Sequence, residues 1–162
     1  SFPTIKKWIE IFEKLYGVFR IYPFGSHKIK AVKKEAKLYF WDWCQASSES
    51  AQFENLVAVH LLRWVHWMQD IYGEKYELRY FRNTVGHEVD FIILLNGNPH
   101  YAIEVKMDDR PLDQGIKYFM ERVNVPYAFQ IARHGKLDYL GPKLKGGQVR
   151  FIPAARFLAC LP

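Results

Sequence analysis

Two short segments carry the residues whose types and spacing could do chemistry. The first, GHEVDFII, contains Glu88 and Asp90, and the second, YAIEVK, contains Glu104 and Lys106. An Asn-Gly-Asn turn between the segments predicts a β-hairpin. If the turn is symmetric about Gly97, Asp90 lies opposite Glu104. Glu88 then faces Lys106, and all four side chains project from one face of the hairpin.

Two carboxylates that face each other across a hairpin need compensation. Opposed Cβ atoms lie about 5 Å apart, where two negative charges repel by roughly 3 kcal/mol at an effective dielectric of about 20. A shared proton, a neighbouring lysine or a divalent cation could each compensate Asp90 and Glu104. The alternative is a solvated sheet face with an ion pair between Glu88 and Lys106. Three apolar residues share that face and argue that it is partly covered: Ile92, Leu94 and Ala102.

An acid pair with a lysine two residues beyond the second acid can support metal-assisted phosphodiester cleavage. In this chemistry Asp90 and Glu104 hold Mg²⁺ or Mn²⁺, which lowers the pKa of a bound water and polarises the phosphate. Lys106 orients the water or offsets the developing negative charge. We therefore expect a magnesium-dependent site at these three residues.

The same residues resemble a nuclease signature. Asp90, thirteen intervening residues, and then Glu104, Val105 and Lys106 are similar to the D…ExK motif of the PD-(D/E)xK nuclease superfamily. The resemblance implies an α/β fold with an αβββαβ restriction-endonuclease-like core and a mixed central sheet. It also implies that a helical acid upstream, here Glu54, is an accessory catalytic residue.

Gln114 and Tyr118 form a second, weaker motif. They lie four residues apart, so they share one face of a helix. This spacing is similar to the QxxxY motif of RecB-type exonucleases, and the resemblance implies that both side chains support the acids. The alternative is that Tyr118 is a core residue.

The pattern of apolar residues predicts the elements that must position these side chains. Gly73 and Pro111 mark the end of one helix and the start of the next. The order of helices and strands predicts an α/β domain and agrees with αβββαβ. In order, the predicted elements are a helix over 50–72, strands over 77–82, 88–95 and 100–105, a helix over 111–123, strands over 127–132 and 149–152, and a closing helix over 154–161.

The first 45 residues have a different pattern. A helix that ends before Gly17 is followed by predicted strands over 18–24 and 38–43, with a lysine-rich segment between them. Helix, strand, basic loop and strand is the order at the end of a winged helix. We therefore predict a partial winged-helix-like segment at 1–45 and a nuclease-like domain at 46–162. A solvated lysine loop is the alternative for the basic segment.

Positive charge is concentrated in this N-terminal part. The whole chain has 23 Lys and Arg against 17 Asp and Glu, a net charge of +6. Residues 1–40 contain nine basic and three acidic residues, which is +6, whereas residues 41–162 contain fourteen of each. We expect DNA to be attracted through five lysines. They are Lys28, Lys30, Lys33, Lys34 and Lys37.

Composition excludes several classes of protein. With 49% apolar and 17% aromatic residues, the chain is too rich in core-forming side chains to be disordered. Two cysteines without a CxxC motif favour a reducing compartment. The sequence shows neither a secretory signal nor a membrane-length apolar run. We therefore expect a cytoplasmic protein with no membrane partner.

Several segments resemble the C-terminal half of a prokaryotic family of AAA-type ATPases. They include KLYFWDW, FENLVAVHLLRW, YFRNTVGHEVDFII and YAIEVK. In that family an ATPase module leads into a winged helix and then a nuclease-like domain of unassigned function. The chain begins with Ser at the start of a helix, so we expect a piece of a longer protein. Because no GxxxxGK[ST] occurs here, we expect no nucleotide site in this fragment and an ATPase module upstream.

These observations favour a magnesium-dependent, endonuclease-like DNA phosphodiesterase domain of a larger AAA-type ATPase. The alternative is a non-cleaving DNA-binding or regulatory docking module of the same ATPase.

Overall fold

The computed structural model describes residues 2–25 and 35–161. Four of the five lysines expected to attract DNA lie outside these residues: Lys28, Lys30, Lys33 and Lys34. None of the helices in the described part of the chain is long and apolar enough to span a membrane.

The N-terminal part contains one helix and two strands. Helix α1 (Phe2–Lys14) leads through Tyr16, which has a φ of 54°, into strand β1 (Val18–Pro23). Strand β2 (Lys37–Phe40) pairs antiparallel with β1. The apolar side chains of α1 are largely exposed; Trp8, for example, is 56% exposed.

Strand β2 is shorter than the predicted strand over 38–43. The chain turns at Asp42, whose side chain accepts a hydrogen bond from the backbone N–H of Cys44. A 3-10 turn, Trp43–Gln45, follows. This local capping by an aspartate competes with strand extension, which explains the early end of β2.

The long helix α2 (Glu49–Tyr72) agrees closely with the predicted range. Ser48 caps its N-terminus by accepting a hydrogen bond from the backbone N–H of Ala51. Gly73 ends the helix in the left-handed conformation, with a φ of 69°. The end at Gly73 is the one that the sequence analysis predicted, and the Ser48 cap places the start one residue before the predicted residue 50.

The remaining elements complete one sheet of eight strands among the described residues. Its order is β2-β1-β3-β4-β5-β6-β8-β7, with parallel pairs at β1–β3, β5–β6 and β6–β8. The fold is therefore mixed α/β, as expected. The further elements are β3 (Tyr76–Arg82), β4 (Glu88–Leu95), β5 (Asn98–Lys106), α3 (Gln114–Met120), β6 (Tyr127–Ala132), β7 (Tyr139–Leu144), β8 (Gly147–Pro153) and α4 (Ala154–Leu158).

The run from α2 to β6 has the predicted order of one helix, three strands, one helix and one strand. Strand β1 pairs in parallel with β3, so the two N-terminal strands extend the sheet of the main body. The domain boundary at residue 45 and the winged-helix assignment remain predictions.

The register of the β4–β5 hairpin is close to the predicted one. Phe91 pairs with Ile103, Ile92 with Ala102, and Ile93 with Tyr101. These pairs are symmetric about Gly97, as expected. Between Ile93 and Leu94 a β-bulge shifts the register by one residue, so that Leu94 pairs with Pro99. The symmetry about Gly97 ends there, and the turn is one residue shorter than predicted.

Two apolar clusters lie on opposite faces of the sheet. Successive residues of β4 alternate between them: Phe91 and Ile93 contact one cluster, Ile92 and Leu94 the other. Helices α2 and α4 cover the first cluster, and α3 covers the second. The face that carries Asp90 is therefore partly covered, as the three apolar residues on it predicted.

Helix α3 is shorter than the predicted helix over 111–123. Asp113 has an extended backbone and caps the helix by accepting a hydrogen bond from the N–H of Gly115. The cap fixes the start at Gln114, after Pro111 rather than at it. The closing helix is also shorter than the predicted 154–161, because Cys160 and Leu161 bond to carbonyls three residues back.

Strand β7 has no counterpart among the predicted elements. It contains Gly141 and Pro142, which disfavour strands, and most of its side chains are exposed. It is an edge strand that pairs only with β8 in the described sheet. Its sequence pattern is therefore typical of a loop, which explains why no strand was predicted there.

Candidate active site

The end of β3, the start of β4 and the end of β5 meet at one end of the central strands of the sheet. Because β4 is antiparallel to β3 and β5, its first residue, Glu88, lies beside Arg82 at the end of β3. The end of β5 brings Glu104 and Lys106 to the same end of these strands. This arrangement joins the two segments that the hairpin prediction brought together.

Asp90 and Glu104 are in contact through the backbone of the hairpin. The N–H of Val105 donates a 2.9 Å hydrogen bond to Oδ2 of Asp90. The N–H of Asp90 lies 3.4 Å, nitrogen to oxygen, from Oε2 of Glu104. Each carboxylate is thus held by the other residue's strand. The predicted juxtaposition of the two acids is present.

Burial and mutual repulsion make this pair hard to ionise. Glu104 is 6% exposed, and burial together with the nearby Asp90 raises its pKa to about 9. Burial and the charge of Glu54 raise the pKa of Asp90 to about 7, although Lys37 and the Val105 N–H oppose the shift. Both carboxyl groups are therefore harder to ionise than ordinary ones, although the ammonium groups of Lys37 and Lys106 partly oppose the shift.

Lys106 bridges the acid pair and helix α3. Its Nζ donates 2.8 Å hydrogen bonds to Oε1 of Glu104 and to Oδ2 of Asp113. Burial alone would lower the pKa of Lys106, but these two carboxylates raise it above its ordinary value. The lysine is therefore a permanent cation. It does not pair with Glu88, so the ion pair considered as an alternative at the sequence level does not form.

Asp113 is held in place from three sides. Its Oδ1 accepts from the N–H of Gly115, and its own N–H donates to Oε1 of Gln130 at 2.9 Å. The Gln130 amide also donates to the carbonyls of Arg110 and Pro111. Gln130 is 3% exposed and lies beside Glu104 on the adjacent strand β6. The loop before α3 is thereby tied to the strand that neighbours the acid pair.

Gly115 allows helix α3 to approach the start of β4. A Cβ atom at this position would lie 1.8 Å from the carbonyl oxygen of Glu88. Only a residue without a side chain fits such a contact. The glycine therefore sets the distance between Asp113 and the acidic strand.

Lys37 lies within the acidic cluster. Its Nζ is 2.5 Å from Glu88, 3.2 Å from Glu54 and 3.8 Å from Asp90. Its side chain is 23% exposed. Burial lowers the pKa of Lys37, but the three carboxylates raise it overall. The sequence placed Lys37 with the basic residues expected to contact DNA, whereas its ammonium in the structure contacts carboxylates.

Glu54 reaches the site from helix α2. Its Oε1 accepts a 2.7 Å hydrogen bond from the hydroxyl of Tyr39 and also contacts Lys37. The buried hydroxyl of Tyr39 has a pKa well above its ordinary value, because burial and Glu54 both disfavour its ionisation. The structure thus places the predicted accessory acid beside Asp90 and connects it to strand β2.

Gln114 and Tyr118 lie on the first turns of α3 but do not join the acid pair through any contact seen in the described residues. Gln114 is exposed. The Tyr118 ring stacks on His87 at 4.6 Å and on the guanidinium of Arg122 at 3.7 Å. It also packs parallel to Phe81. Tyr118 therefore anchors α3 to the sheet, and its hydroxyl has no assigned role at the acids.

The donor chemistry of the acid pair fits a hard divalent cation such as Mg²⁺, which prefers carboxylate oxygens and water. In the structure, the ammonium groups of Lys37 and Lys106 lie beside these carboxylates. Within residues 2–25 and 35–161, no three Asp, Glu, His or Cys side chains form a group that could hold a metal ion. Asp90 and Glu104 would be two of the ligands, and water would supply the others.

Three residues of the site were missed by sequence reasoning: Tyr39, Asp113 and Gln130. Asp113 was visible as an N-cap signal before a helix, but the expected start at Pro111 concealed it. Gln130 could have been found from one signal, since it is a polar residue within an otherwise apolar strand. Tyr39 has none, because it reaches Glu54 only through the pairing of β2 with β1.

The comparisons with known proteins give one match. The family described as a domain of unknown function, DUF4143, matches residues 49–139, which is more than half of the 162 residues. The matched segment contains both acids, Lys106 and Asp113, but not Lys37. No curated protein and no solved structure matches the chain.

Proposed function

We propose that this chain, which belongs to the DUF4143 family, contains a divalent-cation-dependent site for hydrolysis of DNA phosphodiesters. The observation that supports the proposal is that Asp90, Glu104 and Lys106 lie together at one end of the central strands β4 and β5. The two acids repel each other and suit a metal ion. Lys106, a permanent cation in contact with the second acid, suits a phosphate. The resemblance to PD-(D/E)xK nucleases supports the same assignment.

Each residue has a definite role in this proposal. Asp90 and Glu104 would hold Mg²⁺ or Mn²⁺, which when bound would supply a water of lowered pKa and polarise the phosphate. Lys106 remains an ammonium and offsets negative charge that develops on the phosphate oxygens. Asp113 is a positioning residue, because it fixes the Lys106 side chain from α3. Glu54 adds negative charge on the α2 side.

A second function, a non-cleaving DNA-binding or docking module, is favoured by a different observation. Lys37 and Lys106 already contact all the carboxylates that the cleavage mechanism needs. An acid cluster neutralised by lysines is also a stable structural arrangement, and it needs no metal ion. In that case the fold provides a binding surface, and the cluster stabilises the ends of the strands that carry it.

The expected context is the same for both functions. The resemblance to AAA-type ATPases implies an ATPase module in the same chain that hydrolyses ATP and acts with this domain on DNA. The excess charge of residues 1–40, nine basic against three acidic residues, would attract the phosphate backbone. This attraction would supply affinity for DNA in both cases, whereas the acid pair would supply a reaction only in the cleavage function.

Calorimetric titration with Mn²⁺ and Mg²⁺ tests the proposal directly. The wild-type chain should bind the ion, and Asp90→Asn and Glu104→Gln should each abolish binding. Asp70→Asn, an exposed aspartate on α2, is the matched control and should bind as the wild type does. If no variant and no wild-type protein binds either ion, the cleavage function is excluded.

Incubation with circular and linear DNA tests the reaction. With Mg²⁺ present, the wild type should cleave, and Lys106→Met should lose cleavage while it retains metal binding. That separation would assign Lys106 to the phosphate rather than to the metal ion. Metal binding without cleavage of either DNA, together with DNA binding that persists in Glu104→Gln, would favour the docking module.

A further inference from the structure

The position of Lys37 has a consequence for the site. Its ammonium lies within 4 Å of three carboxylates from two different elements: Glu54 on α2, and Glu88 and Asp90 on β4. The lysine itself comes from β2, at the edge of the sheet. One cation therefore joins three separate parts of the fold.

The Lys37 ammonium contacts carboxylate oxygens, which are also the ligands that a hard divalent cation prefers. A cation surrounded by carboxylate oxygens offsets their repulsion, whether it is an ammonium or a divalent ion. Tyr39, two residues along the same strand, donates to Glu54 and fixes it near the ammonium. Lys106 differs, because it contacts Glu104 and Asp113 on the other side of the acid pair.

Two cations cannot share the same carboxylates without repulsion. A divalent ion held by Asp90 would lie a few ångströms from the Lys37 ammonium if the lysine kept its present position. At that separation the two positive charges repel each other even at an effective dielectric of about 20. Either Lys37 moves away when the ion binds, or the repulsion from Lys37 lowers the affinity of the site for the ion.

We infer that Lys37 is a built-in counter-ion that competes with the divalent cation for the Asp90 side of the site. The inference rests on the proposed function, since it concerns the regulation of the same metal-binding acids. Lys37 keeps the carboxylates compensated when no metal ion is bound. It also raises the concentration of metal ion that the site needs, so that the domain is held in a metal-free state at low concentrations.

Mn²⁺ affinity of Lys37 variants tests this role without any measurement of cleavage. Titration calorimetry should show that Lys37→Met binds Mn²⁺ about tenfold or more tightly than the wild type, because a positive charge next to the ion has been removed. Lys37→Arg keeps the charge and should bind as the wild type does. Lys75→Met removes a lysine that pairs with Glu77 on the surface, and it should have no effect.

Thermal unfolding gives a second readout. Without metal ion, Lys37→Met should melt below the wild type, because three carboxylates lose their counter-ion. Added Mn²⁺ should raise its melting temperature more than that of the wild type. Lys37→Gln, which retains two hydrogen-bond donors, provides the same comparison if Lys37→Met does not fold without metal ion.

The outcomes separate this inference from the proposed function. Tighter binding in Lys37→Met that is lost in the double variant Lys37→Met/Asp90→Asn supports it. Wild-type binding at Asp90 with unchanged or weaker binding in both Lys37→Met and Lys37→Gln overturns it and leaves the proposed function intact. Absence of Mn²⁺ binding in the wild type and in every variant overturns both.

Discussion

The backbone N–H of Val105 donates a 2.9 Å hydrogen bond to Oδ2 of Asp90. A side chain of β4 is thereby bound to the backbone of β5 at the residue between Glu104 and Lys106. Because the bond restrains both strands, the positions of Asp90, Glu104 and Lys106 are coupled. The geometry of the candidate site and the stability of the hairpin consequently depend on the same contacts.

The pH dependence of stability should reveal the acid pair. The pKa of Asp90 is raised from 3.8 to about 7, and that of Glu104 from 4.5 to about 9. A group whose pKa is higher in the folded state stabilises the protein below its unfolded pKa and loses this contribution as the pH rises through the folded pKa. We therefore expect the free energy of unfolding, without metal ion, to fall between about pH 4 and pH 9.

Asp90→Asn should remove part of this dependence. The asparagine oxygen can still accept from Val105, but the side chain never ionises. At pH 8 we expect the variant to be more stable than the wild type by on the order of 1–3 kcal/mol. Urea unfolding at pH 5 and pH 8 measures the difference. An equal pH dependence in the variant and in the wild type would contradict the assigned pKa of Asp90.

Asp113 should contribute through two separable interactions, the cap of α3 and the ion pair with Lys106. Asp113→Ala removes both and should cost about 2–3 kcal/mol of unfolding free energy. Asp113→Asn keeps an acceptor for Gly115 and should cost about half as much. Chemical denaturation of the two variants gives the ratio. A loss in Asp113→Asn as large as in Asp113→Ala would show that the ion pair dominates.

Gly115→Ala should be strongly destabilising, although alanine favours helices by about 1 kcal/mol over glycine. The added Cβ would lie 1.8 Å from the Glu88 carbonyl oxygen, so α3 or the start of β4 must shift. We expect a loss of about 3 kcal/mol or more. Gln114→Ala, at the adjacent exposed position, is the control and should change stability by less than about 0.5 kcal/mol. A neutral Gly115→Ala would mean that α3 moves freely against β4.

Asn55 should hold strand β2 against helix α2. Its buried side-chain amide pairs with both backbone groups of Phe40, accepting from the N–H at 2.8 Å and donating to the carbonyl at 2.6 Å. Asn55→Ala should cost about 2 kcal/mol and speed hydrogen exchange of the Phe40 amide. Exchange at Phe91, in the centre of the sheet, is the internal reference. Unchanged protection of Phe40 in Asn55→Ala would show that β2 is held by β1 alone.

Local signals in the sequence were sufficient for much of the fold. The apolar pattern and Gly73 defined α2, and the Asn-Gly turn with alternating apolar residues defined the hairpin and its register over 91–93. Side-chain alternation along paired strands is a purely local rule, so the meeting of Asp90 and Glu104 was predictable. The edge strand β7 was not, because its side chains are mostly exposed and carry no apolar pattern.

The partners of the acids were decided only by the tertiary structure. Lys37 is sixty-seven residues from Glu104 in the sequence and read as one of several basic residues near a loop, since nothing local distinguishes it from Lys28 or Lys34. The parallel pairing of β1 with β3 and the antiparallel pairing of β2 with β1 bring its ammonium to β4. The sequence by itself determined which residue types could hold a metal ion and face a phosphate. The chain path determined which cation compensates them, because charge compensation depends on distance through space and not on separation along the chain.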